Sequence, residues 1–365
     1  MSTRAAALHA SPWQGVFYLT GGASGFLAEI LSEPGASATV LEGQIPYATQ
    51  ALSELLGRPP ESACSVATAR ALAMAAFQRG RTLDGDPAFG FACTASLATN
   101  HTKKGGHRAH AAIQTADDTF IASWQFSGDR HAEETALNEH LWRMLAQSFE
   151  LAGVTSAAKA IDLVHTRAKK PWRELILGET RAHATQTHDG QLLMPGAFNP
   201  LHSAHKNMLA LAEERTGLAG AFELSVANVD KPLLDYGEIE ARLGQFEKPV
   251  WLTRLPTFLE KARHFPGSHF VVGADTFSRI VEAKYYGGKR GLKSALAELD
   301  ELGARFTVFG RQMAGSFKVL SDLALPDWLS DWRRERCVEI DERSFNEAVS
   351  STQLRKETQL RNDST

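Results

Sequence analysis

Ten consecutive residues, Gly196-Ala197-Phe198-Asn199-Pro200-Leu201-His202-Ser203-Ala204-His205, constrain this chain more than any other stretch. The apolar stub Leu192-Leu193-Met194 runs into Pro195-Gly196, and from Ser203 to Arg215 the apolar residues recur at helical spacing. The order is strand, tight loop, helix. Such a helix start carries unpaired N–H groups and partial positive charge. Gly196 lets an anion approach the backbone, and His202 and His205, three apart, share one side of the first turn. The arrangement suits a polyphosphate. Fixing Gly, Phe, Asn, Pro and two His at ordinary usage gives a chance match on the order of 10⁻⁸ per starting position.

This stretch resembles the G-x-F-x-P-x-H-x-x-H signature of the HIGH-type nucleotidyltransferases. Asn199 before the proline resembles their nicotinate/nicotinamide mononucleotide adenylyltransferase branch, since the phosphopantetheine and cytidylyl branches usually carry Asp there. The resemblance implies adenylyl transfer from ATP to a pyridine mononucleotide, with Mg²⁺ bound on the ATP. It implies His202, His205 and Arg355 as catalytic residues and Gly196, Ala197, Phe198 and Asn199 as substrate contacts.

Downstream, short strands alternate with helices, as an open parallel sheet requires. Phe222 to Val226 reads as a strand, and in the resembling family a lysine or polar loop beyond it helps hold the triphosphate or mononucleotide, which makes Lys231 a candidate. Trp251-Leu252-Thr253-Arg254 precedes a helix and resembles the stretch where the family reads the base, which makes Thr253 a candidate. Phe270-Val271-Val272-Gly273-Ala274-Asp275 is a buried strand ending in Gly and Asp, the place where open α/β sheets bind ligands. It resembles the family's G-A-D motif, so Gly273 and Asp275 join the substrate set. Arg311 follows the strand Arg305 to Phe309, a position that in the resembling family can touch the nucleotide. Val349-Ser350-Ser351-Thr352-Gln353-Leu354-Arg355 resembles the I-S-S-T-x-x-R motif. There Ser350, Ser351 and Thr352 can face phosphate, and Arg355 returns to the same side one turn later.

The chain has 365 residues, 43% hydrophobic and 22% charged, which is ordinary for a globular protein and long enough for two domains. Its net charge of −3 offers no general attraction for nucleic acid or an anionic membrane. Cys64, Cys93 and Cys337 lie far apart without a C-x-x-C pair, so neither a disulfide framework nor a zinc site is indicated. Arg4 is followed by too few apolar residues for a signal segment, and no apolar run reaches membrane-spanning length. A cytoplasmic protein with small-molecule partners, ATP and a phosphorylated acceptor, is the expectation.

The N-terminal half opens on Gly15-Val16-Phe17-Tyr18-Leu19, followed by the loop Thr20-Gly21-Gly22-Ala23-Ser24-Gly25 and a helical Phe26 to Leu31. Pro34-Gly35-Ala36-Ser37, Gly43-Gln44-Ile45-Pro46-Tyr47 and Leu55-Leu56-Gly57 continue in an order that resembles the CinA C-terminal family of nicotinamide-nucleotide amidases. The family's proposed nucleophilic serine aligns with Tyr18 and its lysine with Leu52. The resemblance therefore implies a kept scaffold without the amidase chemistry, serving homo-oligomer contact. Ser24 is a poor substitute nucleophile, because nothing nearby in sequence supplies a base. His101 to His110 reads as a solvated turn between two strands. Glu133 to Leu151, with Leu137, Leu141, Leu145 and Phe149 on one stripe, reads as the helix that closes this half.

The expected architecture is α/β with two domains: a CinA C-terminal-like domain over 1–151, a connector over 152–190, and a Rossmann-like parallel-sheet nucleotidyltransferase domain over 191–365. Rival readings are phosphopantetheine or cytidylyl transfer, and a nucleotide-binding sensor without chemistry.

Overall fold

The run Gly15 to Leu19 is apolar at every position because its strand is covered on both faces, as parallel strands generally are. The computed structural model describes residues 3–100, 105–151, 161–229, 231–313, 315–347 and Leu354. The chain forms two α/β units, Met1–Leu177 with Asp230–Ile239, and Gly178–Val229 with Glu240–Thr365.

In the first unit, β1 (Gln14–Thr20) lies between two parallel neighbours, β2 (Val40–Gln44) and β3 (Ala88–Ser96). Antiparallel β4 (His107–Thr115), β5 (Asp118–Phe126) and β6 (Val164–Arg167) extend the sheet in the order β2-β1-β3-β4-β5-β6. Phe17 and Leu19 of β1 pack with Phe26 and Ile30 of α1 (Ser24–Ser32). Leu137, Leu141 and Leu145, the stripe read in the sequence, join the same cluster. Val16 and Tyr18 turn the other way, onto Leu72, Ala73 and Ala76 of α2 (Val66–Thr82). The closing helix is α3 (Arg130–Ser148), whose N-cap Asp129 accepts from the N–H groups of His131 and Ala132.

The second unit holds a seven-stranded sheet of β7 (Ala182–Ala184), β8 (Leu192–Pro195), β9 (Gly220–Ser225), β10 (Val250–Thr253), β11 (His269–Gly273), β12 (Arg305–Phe309) and one later strand. A hairpin, β13 (Arg311–Met313) with β14 (Ser316–Lys318), precedes that last strand, β15 (Cys337–Ile340). The order is β15-β12-β11-β8-β9-β10-β7, all neighbours parallel except β7 with β10. Counting the parallel strands along the chain, the first is central, the next two lie on one side and the remaining three on the other. This is the doubly wound order, whose topological switch point falls between β8 and β11, where ligands bind at the carboxyl ends of the strands. Between the strands run α4 (Ser203–Thr216), α5 (Tyr236–Leu243), of which only the part from Glu240 on is grouped with this unit, α6 (Phe258–His264), α7 (Ala274–Ile280) and α8 (Lys289–Glu301). Ala204, Met208, Leu209 and Ala212 give α4 the buried stripe that its sequence period requires.

Residues 152–190, expected as a connector, contribute an edge strand to each sheet: β6 pairs with β5 and β7 with β10. The chain also leaves the second unit after β9, and residues 230–239 belong to the first. Tyr236 is fully buried there, with its hydroxyl donating to the Ala116 carbonyl at 2.5 Å. Arg70 forms a bidentate pair with Asp235, through Nε to Oδ2 at 2.9 Å and through Nη2 to Oδ1, and lies 3.2 Å from Glu238. Such a fork on a buried carboxylate is among the stronger polar contacts a protein makes. Lys231 belongs to the segment grouped with the first unit.

Candidate functional site

At the end of β8 the Gly196 N–H donates to the Glu223 carbonyl at 3.0 Å, after which the chain turns sharply. A Cβ on Gly196 would fall 2.6 Å from the Phe198 ring, so only glycine lets that ring fold back beneath the loop. Phe198 takes a positive φ of 45° and is 2% exposed, with its ring 5.2 Å from those of Phe222, Phe246 and His205. Its place among the substrate contacts is thereby corrected: Phe198 is the core peg of the loop. The Asn199-Pro200 peptide is cis. Gln245 brackets it, accepting from Leu201 N–H at 2.8 Å and donating to the Phe198 carbonyl at 3.3 Å. Arg242 donates to the Ala197 carbonyl at 3.0 Å. Three backbone groups of the loop are thus held by two side chains from the end of α5 and the turn after it.

His202 caps α4 with extended backbone, and its ring stacks on His205 at 3.7 Å between centroids and 22° between planes. The His202 N–H points at His205 Nδ1 at 3.4 Å. With Nδ1 as acceptor, the neutral His205 ring carries its proton on Nε2, free to donate elsewhere. Both ring nitrogens of His202 are buried with no hydrogen-bond partner among the described residues. A buried polar atom without a partner is costly in a finished core and ordinary in a site awaiting a ligand. Burial lowers the pKa of both rings: His205 falls to about 3, helped by His202 and by the positive Arg311, and His202 falls through burial and Arg311 against the opposing Glu347. Both rings are neutral donors at neutral pH.

Across the switch point β11 ends at Gly273, and Asp275 lies in the first turn of α7. A Cβ on Gly273 would come within 2.5 Å of Asp275 Oδ1 and 3.2 Å of the Arg311 side chain. Arg311, just beyond β12, lies 3.7 Å from Asp275. The fold therefore gathers His202, His205, Asp275 and Arg311, separated by up to 109 positions in sequence, around the ends of β8, β11 and β12.

Thr253 does not join them. It is fully buried with its hydroxyl donating to Glu223, whose same oxygen accepts from Lys261 Nζ at 2.8 Å. Lys261 also donates to the Leu255 carbonyl at 2.6 Å. Its candidacy as a base-reading residue is corrected to membership of a buried polar cluster. Ser350, Ser351, Thr352 and Arg355 lie outside the described residues. Sequence reasoning missed Gln245, Arg242 and Glu347, the last bound to Ser203 and Asn207 of α4. No motif flags them, because each acts on a loop far away in sequence.

In the first unit Tyr18 is buried and its hydroxyl reaches Glu42 at 3.4 Å, while Arg79 Nε and Gln44 also donate to that carboxylate. Burial, reinforced by Glu42, pushes the Tyr18 phenol up to about 12. Leu52 is packed in the same apolar cluster. The two positions aligned with the amidase serine and lysine are thus core. The glycine loop is closed by the chain itself: Ser24 N–H and Oγ both donate to Glu134 Oε1, at 2.7 and 2.9 Å. A carboxylate that sequence proximity did not suggest therefore sits on the helix start, where it neutralises the unpaired N–H groups.

Among the described residues no helix is long and apolar enough to cross a membrane, and no three His, Cys, Asp or Glu side chains are placed to hold a metal ion. No protein-family model and no curated protein matches the chain. Among solved structures it is similar to the competence/damage-inducible protein CihA from Agrobacterium tumefaciens, at 19% identity over 36% of this chain and 83% of that one, with a TM-score of 0.30. A CinA superfamily protein from Klebsiella pneumoniae gives 16% identity over 40% and 94%, with a TM-score of 0.34. The competence or damage-inducible protein from Enterobacter asburiae gives 18% over 42% and 100%, with a TM-score of 0.33.

Proposed function

We propose that the second unit transfers AMP from ATP to the 5′-phosphate of a pyridine mononucleotide and releases pyrophosphate, a step of cytoplasmic NAD biosynthesis or salvage. The observation that carries the reading is the stacked His202–His205 pair at the start of α4, its ring nitrogens unpartnered or free to donate, at the switch point of a doubly wound sheet. An acceptor phosphate oxygen attacks the α-phosphorus, and the bond to the oxygen bridging α and β breaks. The acceptor is already a nucleophile, so no covalent enzyme intermediate is needed. The protein aligns the two phosphates and stabilises the charge that builds on the bridging and leaving oxygens.

In this scheme the neutral ring N–H of His205 and that of His202 donate to those oxygens, and Arg311 supplies positive charge from the opposite side of the crevice. Asp275 accepts from a ribose or base. Ser351, Thr352 and Arg355 contribute through the sequence motif they form. Mg²⁺ arrives with ATP, held mainly by phosphate oxygens and water. The first unit takes no part in this chemistry and serves subunit contact.

The test is incubation of the purified chain with Mg-ATP or Mg-CTP and, in turn, nicotinate mononucleotide, nicotinamide mononucleotide or phosphopantetheine, with separation of products. Dinucleotide from ATP and a mononucleotide is the expected result. Product from CTP or phosphopantetheine alone would move the assignment to another transferase, and nucleotide binding without product would make the unit a sensor.

A further inference from the structure

The ring of His202 has no hydrogen-bond partner among the described residues, so its aim depends on its stacking and on the backbone that carries it. That backbone is the start of α4, where the His205 N–H donates to the His202 carbonyl at 3.0 Å. A single carboxylate ties this turn down. Glu347 Oε2 accepts from Ser203 Oγ at 3.1 Å, and its Oε1 accepts from Asn207 Nδ2. Ser203 and Asn207 are four apart and share one helix face, so one carboxylate spans a full turn with both oxygens engaged. A negative group is also electrostatically favoured at that end of a helix.

The segment holding Glu347 is itself anchored. Two residues earlier, Phe345 is buried with its ring 5.0 Å from Phe309 at 82°. Phe309 is the last residue of β12, two positions before Arg311. Residues 345–347 thus run from the end of one strand flanking the crevice to the start of the helix on its other side.

We propose that Glu347 is a positioning residue for the histidine pair: through Ser203 and Asn207 it fixes the first turn of α4, and with it the aim of His202 and His205. The role rests on the adenylyl transfer proposed above. Misplacing reacting groups by about 1 Å costs on the order of 10²-fold in rate, so a loosened turn is felt in turnover more than in binding.

The test uses the full-length chain with Glu347→Ala, Glu347→Gln, Ser203→Ala/Asn207→Ala, and Glu347→Ala combined with that pair. Glu347→Ala should lower kcat by roughly 10- to 100-fold while KM for Mg-ATP and for the acceptor moves less than about threefold. The Ser203/Asn207 pair should lose as much, the combined variant no more than either, and Glu347→Gln, which keeps one acceptor oxygen, should fall between. Turnover of Glu347→Ala within twofold of the parent, or losses that multiply in the combined variant, would overturn the proposal. If the parent chain makes no dinucleotide, the function reading fails separately. The latch is then judged by the imidazole nitrogen resonances of His202 and His205: a shift in Glu347→Ala that recurs in the Ser203/Asn207 pair supports it, and unchanged resonances overturn it.

Discussion

Lys261→Met should damage the second unit more than any surface change, because it breaks a charge pair that has no water to fall back on. Glu223 is fully buried and Lys261 is 4% exposed. In the intact protein Glu223 Oε1 accepts from Lys261 and from the Thr253 hydroxyl, while Oε2 is buried without a hydrogen-bond partner among the described residues. Removing the ammonium leaves a carboxylate held by one hydroxyl, and it strips a donor from the Leu255 carbonyl, which retains Ser225 Oγ at 3.3 Å. Breaking a buried pair from one side costs about 3–5 kcal/mol. For a unit of this size each kcal/mol lowers the melting midpoint by about 2–4 °C, so a fall of roughly 6–20 °C is expected. Adding Glu223→Leu to Lys261→Met removes the stranded charge and should recover most of the loss, because apolar replacement of a whole buried pair is often neutral. Calorimetry, with amide exchange on β9 and β10 to assign the transition, reads both variants. A Lys261→Met midpoint within 2 °C of the parent, or a double variant weaker than the single one, would show that the pair is not the buried, interdependent unit its geometry implies.

Three further outcomes are expected. His205 is held neutral, its pKa lowered to about 3 against 6.5 for the unfolded chain. Above pH 6.5 neither state binds the proton, and as pH falls below it the unfolded state gains one that the folded state refuses, so stability is lost. His205→Asn should flatten that loss by up to about 1.4 kcal/mol per pH unit between 6.5 and 4, and denaturant midpoints with identical acid slopes would refute it. Gln245→Glu is isosteric but turns an oxygen toward the carbonyls of Phe198, Ala241 and Arg242, which now receive an N–H at 3.3–3.4 Å. Stability and turnover should both fall, by about 1–3 kcal/mol for the former, and an unaltered pair of values would dismiss the bracket. Ammonia should not be released from nicotinamide mononucleotide, since Tyr18 and Leu52 are core; release abolished by Ser24→Ala would mean that Ser24 and Glu134 form a rebuilt amidase site.

What could be read from the sequence was what lies close together along it. The loop at 196–205 carries its strand, its glycine and its helix start within a dozen residues, so its geometry was legible before any fold was known. Asp275 was placed at a strand end and sits two residues beyond it, in the first turn of α7. Thr253 was misjudged because a strand end tells nothing about which face a side chain takes, and its face meets Glu223 and Lys261. Nothing local in the sequence signals that residues 230–239, Lys231 among them, group with the first unit. The strands Val164–Arg167 and Ala182–Ala184 are short edge segments with polar residues, too brief to show a period of two. Gln245 and Glu347 recognise backbone and side chains brought near only by the completed sheet.

The loan of residues 230–239 to the first unit also orders events at the ribosome. An N-terminal domain ordinarily folds while the rest is still being made, but this one lacks the seat of Arg70 and the ring that fills the space beneath Ala116 until Asp235 and Tyr236 emerge. At about 5–20 residues per second, the 62 residues from Gly178 to Ile239 take several seconds to follow Leu177 out. During that interval Arg70 of α2 waits for its Asp235 partner. A cut at any single position between the units leaves one fragment missing a part that the other carries.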